Sequence, residues 1–91
     1  MPTYKAPLRD IQFVMNEVLD TESLYQSLPG YEEATPDLMS AIIEEGAKFA
    51  ENVLAPLNQS GDEEGCTWSE DGVKTPEGFA DAYKQYVENG W

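Results

Sequence analysis

In the stretch "APLRDIQFVMNEVLD" the apolar residues Leu8, Ile11, Val14, Met15, Val18 and Leu19 recur at three- and four-residue steps. That spacing puts side chains on one face of an α-helix, so a helix is predicted near residues 8–19, with Pro7 suited to its first turn. A short helix near 21–27 follows in "DTESLYQSLPG", with Asp20 or Thr21 as its cap, Leu24, Tyr25 and Leu28 as its apolar residues, and Pro29-Gly30 as its stop.

The longest apolar stripe comes after "YEEATPD". Thr35 is placed to cap, Pro36 to take the first helical position, and Asp37 to face the positive end of the helix dipole. Leu38, Ile42, Phe49, Ala50, Val53 and Leu57 continue the stripe, Met39 and Ile43 widen it, and Gly46 lets another element come close. The predicted helix spans residues 36–55, because Pro56 lacks a backbone donor and disfavours helical dihedrals at Ala55.

Beyond it, "GDEEG" reads as a flexible turn, and Asp71-Gly72 as a two-residue hairpin turn between Trp68 and Val73. Thr75 and Pro76 repeat the cap-then-proline start ahead of a stripe of Phe79, Ala82, Tyr83, Tyr86 and Val87, and Asn89-Gly90 marks a stop. The last helix is expected at 76–89. The fold class is therefore all-α: a small domain of about four helices, packed by Leu8, Ile11, Val14, Val18, Leu38, Ile42, Phe49, Val53, Phe79, Tyr83 and Tyr86.

Charge narrows the partners. Eighteen acids against five Lys and Arg give a net charge of −13, spread from Asp10 to Glu88. Phosphate backbones and anionic membrane surfaces both select cationic faces, so neither nucleic acid nor membrane is an expected partner. No apolar run reaches bilayer-spanning length, and "MPTYKAPLRDIQF" has no secretory apolar core, which makes a cytoplasmic setting the expectation. With one cysteine, Cys66, and no histidine, zinc and haem ligation and an internal disulfide have no basis.

Candidate chemistry is sparse. Asp62, Glu63 and Glu64 offer oxygen ligands, but "DEEGCTWSEDGV" lacks the alternating acids and terminal bidentate Glu of a calcium loop. Solvated side chains are the favoured reading. Ser23 and Cys66 are nucleophiles without a histidine base. The neighbours Glu32-Glu33 and Glu44-Glu45 diverge on a helix instead of converging. The "ESL" of residues 22–24 is a short match to the D-S-L motif of acyl carrier proteins, yet Glu replaces the Asp and the long preceding loop is absent.

Taken together, "PTYKAPLRDIQFVMNEVLD", "YEEATPDLMSAIIEEGAKFAENVLAPLNQSGDEEGC" and "TPEGFADAYKQYVENGW" resemble the amino-terminal end of the large bacterial acyl-CoA dehydrogenases, the subgroup with an extra amino-terminal segment. The most specific parts are "YKAPLRD" (4–10), "FAENVLAPLNQSGDEEG" (49–65) and the final "GW" (90–91). The resemblance covers essentially the whole chain. It implies that residues 1–35 form the extension and 36–91 the first part of the amino-terminal helical domain.

By that resemblance, the complete enzyme holds FAD between a β domain and a carboxy-terminal bundle, and between subunits. A carboxylate removes the α-proton of an acyl thioester while the β-hydrogen leaves as hydride to the flavin, which electron-transfer flavoprotein reoxidises. The family's base and flavin motifs lie beyond residue 91, so no catalytic, cofactor-binding or metal residue is expected here, and the chain alone is expected to be inactive. Expected partners are the remainder of the subunit and further copies of it. Surfaces shaped for that subunit would be left bare in isolation, notably Tyr25, Tyr31, Met39, Ile43, Trp68 and Trp91, so the isolated chain is expected to self-associate. A free-standing acidic helical interaction module is the alternative. The abrupt "NGW" ending points toward the first.

Overall fold

A computed structural model describes residues 3–91, and it is mainly helical as predicted. Helix α1 (Leu8–Phe13) passes into a π-helical turn (Val14–Val18), and α2 is Thr21–Gln26. Helix α3 (Pro36–Phe49), a second π-helical turn (Ala50–Leu54) and α4 (Ala55–Glu64) follow one another without a break. A hairpin of β1 (Thr67–Ser69) and β2 (Gly72–Lys74) precedes α5 (Phe79–Glu88). The chain divides into two compact units, one of Lys5–Phe49 and one of Ala50–Trp91 joined by Thr3 and Tyr4.

In the first unit α1 packs on α3, and the Gln12 side-chain amide donates to the Ser40 hydroxyl at 2.8 Å in a part-buried position. Thr35 caps α3 as its sequence position predicts: Oγ1 accepts the Leu38 N–H at 3.3 Å. Asp20 enters α2 in the left-handed region, at φ 48°, and its carboxylate accepts the Ser23 hydroxyl at 2.8 Å. Asp tolerates that conformation better than most residues, because its short polar side chain bonds locally.

The second unit departs from expectation at Pro56, where the helix does not stop. A π turn takes in one extra residue per turn, and the Ala50–Leu54 turn widens the helix just ahead of the proline. Pro56 then lies in the first turn of α4, where a missing donor and a preset φ are tolerated. The "GDEEG" stretch is accordingly not a loop. Gly61 through Glu64 are helical, and only Gly65, at φ 67°, turns the chain.

Two further boundaries move. The strands pair Thr67 with Lys74, Trp68 with Val73 and Ser69 with Gly72, so the hairpin loop is Glu70-Asp71 and Gly72 carries the positive φ of 128°. Thr75 and Pro76 do not start α5. Gly78, in the left-handed region at φ 94°, separates them from the first helical residue, Phe79.

The far end of α5 is as expected from Asn89-Gly90, and its bonds form a Schellman motif. Gly90 N–H donates to Val87 O at 3.0 Å and Trp91 N–H to Tyr86 O at 3.3 Å. The hydrophobic contact that accompanies the motif is the stacking of Trp91 on Tyr86, ring centroids 6.5 Å apart.

Of the expected core, Phe49 is buried, and Leu8, Ile11 and Val53 are half-buried. Val14, Val18, Leu38, Ile42, Phe79, Tyr83 and Tyr86 are exposed instead. Small residues hold the tight contacts: Ala47, Gly61 and Ala82 are buried, and helices approach most closely where side chains are short. For Val14 and Val18 the π turn adds a second cause, since one extra residue rotates the stripe by about 100° relative to a continuous helix.

Candidate functional site

The acids that open the question of metal or acid–base chemistry are occupied structurally. Glu64 Oε2 accepts the backbone N–H of Glu77 at 3.0 Å, tying the end of α4 to the turn before α5. Glu63 accepts from the Gln59 amide one turn earlier, at 3.1 Å. Asp62 is exposed on the same turn, and Cys66 is exposed two residues beyond it. Among the described residues no group of three or more His, Cys, Asp or Glu is placed to hold a metal ion.

The other candidates are equally local. The Ser23 hydroxyl is turned toward Asp20. Glu45 and Lys48 form an exposed ion pair one turn apart at 2.9 Å, and the hydrogen bond and charge of Glu45 raise the lysine above its ordinary pKa. Glu32 accepts the Gly30 N–H at 3.0 Å and so closes the turn after α2. Glu33 and Glu44 lie exposed beside their neighbours, and the adjacent pairs do not converge.

The more pocket-like feature is one that sequence reasoning did not find. A groove of about 490 Å³ lies along the second π turn, lined by Thr3, Tyr4, Ala50, Leu54, Ala55 and Asn58. Its volume is in the range of small-ligand sites, and the widened backbone and two alanines make the space. Its polar groups are a hydroxyl, a phenol and an amide. None of these removes a carbon-bound proton, so the groove suits packing or binding and not catalysis. The sequence signal was Pro56, whose accommodation calls for a helix defect just upstream.

Helix α5 presents the other unanticipated surface. Its buried side carries Ala82, whereas Phe79, Tyr83, Tyr86, Val87 and Trp91 are exposed. Tyr83 stacks on Tyr86 at 6.4 Å and Tyr86 on Trp91 at 6.5 Å, giving a continuous aromatic ladder. No helix among the described residues is long and apolar enough to cross a membrane.

No protein-family model matches the chain. Two curated relatives do. A 3-methylmercaptopropionyl-CoA dehydrogenase of Ruegeria pomeroyi is 39% identical over 89 residues, covering 98% of this chain. A butyryl-CoA dehydrogenase of Syntrophomonas wolfei is 33% identical over 91 residues, covering 96% of it. The chain spans 15% of the length of each relative. Both matches run through the helix ends and turns described above, and on them this chain resembles an amino-terminal segment of an acyl-CoA dehydrogenase.

Proposed function

We propose that this chain is the amino-terminal helical part of an FAD-dependent acyl-CoA dehydrogenase, with residues 1–35 as an extension and 36–91 as the first part of the helical domain. The observation that carries the reading is the pair of matches over 98% and 96% of the chain to relatives that share one activity. Their printed substrates, butyryl and 3-methylmercaptopropionyl thioesters, are both short, and a short saturated acyl-CoA is the corresponding substrate class here.

Within such an enzyme this segment is scaffold. Its carboxylates are spent on helix ends and an exposed ion pair, as Glu64, Glu32 and Glu45 illustrate, while the base and the flavin contacts come from the rest of the polypeptide. The flavin, when bound, accepts the hydride lost from the acyl β-carbon. Electron-transfer flavoprotein is the proposed oxidant of the reduced flavin, further copies of the subunit complete the assembly, and the cytoplasm is the proposed compartment.

The test uses the full-length polypeptide beside the 91-residue chain. The full-length protein is expected to purify with bound flavin whose absorbance bleaches when a short acyl-CoA is added, and the short chain to take up no flavin. Stoichiometric flavin on the short chain, or a colourless full-length protein that cannot be reconstituted with FAD, refutes the assignment and leaves the interaction-module reading.

A further inference from the structure

We infer that the exposed ladder of α5, Phe79, Tyr83, Tyr86 and Val87 with Trp91 stacked at its end, is a docking surface for an apolar element of the remainder of the same polypeptide. The inference rests on the reading of the chain as part of a longer enzyme and adds the place where the rest of that enzyme seats.

The first observation is directional. At about 100° per residue, Phe79, Tyr83, Tyr86 and Val87 occupy an arc of about 100°. Burial follows a different axis. Ala82, on one edge of that arc, is 6% exposed; Tyr86 and Phe79 come next at 44% and 39%; Tyr83 and Val87, farthest from Ala82, stand at 69% and 54%. The helix thus buries the side of a small residue and leaves its largest apolar residues in water. Amphipathic helices normally do the reverse.

Next comes area. The chain exposes 7174 Å². A compact body obeys a surface law that, for two separate units of about 5 kDa each, totals about 6,400 Å². The excess of roughly 800 Å² is one partner's share of a standard interface. Aromatic side chains, each carrying about 150–250 Å², are the residues that build the centre of such interfaces.

Charge and length select the occupant. A second copy would bring another −13 to the contact, and Asp81 and Glu88 lie on the same short helix as the ladder. The arc itself contains no acid, in a chain where acids are the dominant surface group. Since the chain spans 15% of each relative, the corresponding enzyme has ample further polypeptide from which an uncharged apolar face can come.

Hydroxyl-radical footprinting with peptide mass spectrometry reads the accessibility of these native side chains in the full-length protein and in the dilute 91-residue chain, each normalised to a dissolved reporter peptide. Tyr83, Tyr86 and Val87 are expected to oxidise about tenfold more slowly in the full-length protein, as buried interface centres do. Equal rates overturn the inference. Protection that disappears when the full-length protein is diluted assigns the ladder to a second copy and also overturns it. Flavin content, recorded on the same sample, separates the two claims: a colourless protein with a protected ladder refutes the enzyme reading alone.

Discussion

Gly61 of α4 lies against the ring of Phe79 at the start of α5, so close that a Cβ at Gly61 would sit 2.5 Å from Phe79 Cζ and 2.7 Å from Cε1. Glycine inside a helix costs about 0.5–1 kcal/mol relative to alanine, whereas forcing extra volume into a packed contact costs about 1–3 kcal/mol. The clash outweighs the propensity, so Gly61→Ala is expected to destabilise by about 1 kcal/mol. With the ring removed the sign reverses: in a Phe79→Ala background the same substitution is expected to stabilise by about 0.5 kcal/mol. Urea midpoints at unchanged slope measure both. Additive effects across the four proteins count against the contact.

Thr35 and Thr75 precede prolines in the same way and behave differently in the structure. The Thr35 hydroxyl accepts the Leu38 N–H, while α5 begins beyond Gly78 and so leaves Thr75 outside the helix. Thr35→Ala is expected to cost about 1 kcal/mol and Thr75→Ala less than about 0.5 kcal/mol. Equal losses in chemical denaturation would show that Thr75 is a cap after all.

Gly78 combines both reasons for being glycine. Its φ of 94° is costly for any side chain, and an added Cβ would lie 2.7 Å from Leu57 Cδ2. Gly78→Ala is therefore expected to lose about 2 kcal/mol, the left-handed penalty plus the displacement of a half-buried leucine. Gly65→Ala is the control, since its φ of 67° is also positive but nothing lies within 4 Å of the added methyl. The difference between the two losses isolates the Leu57 contact.

Much of the backbone was legible because it rests on local chemistry. Thr35-Pro36 starts α3, Asn89-Gly90 ends α5, and the apolar spacing after Pro7 marks α1. Less legible were the features set by residues that compete. Pro56 argues for a stop, but the helix supplies a π turn upstream and continues, which moves Asp62, Glu63 and Glu64 from a loop to a helix end. Gly78 overrides the start signal of Thr75-Pro76. The period of Phe79, Tyr83, Tyr86 and Val87 correctly announces an apolar face but does not say what covers it, so reading the ladder as this chain's own core was the natural error. The groove beside Tyr4 and Asn58 follows from the π turn and was hidden with it.

Pro56→Ala tests the account of the continuous helix. A proline strained in a helix interior costs about 3 kcal/mol or more, so replacing such a residue would stabilise the protein by that order. Here the π turn has already absorbed the strain, and the change in stability is expected to stay within about 1 kcal/mol, with helical circular dichroism unchanged. A gain of about 3 kcal/mol would instead locate the strain at Pro56 itself.

The last expectation concerns the isolated chain in solution, where the ladder of α5 has no covering element. Exposed Tyr83, Val87 and Trp91 favour association through contiguous apolar surface, while the net charge of −13 on every copy opposes it. The two effects respond differently to salt. Screening shortens the reach of charge repulsion from about 30 Å at 0.01 M to about 3 Å at 1 M, and leaves apolar burial intact. Weak self-association that strengthens with salt and with concentration is therefore expected. Tyr83→Glu together with Val87→Glu, which sets two acids in the acid-free arc, is expected to abolish it without loss of helical signal, because both side chains point away from the buried Ala82. Sedimentation velocity decides the matter: a strict monomer at high concentration in both low and high salt refutes the expectation, and association that persists in the double variant places the contact elsewhere on the chain.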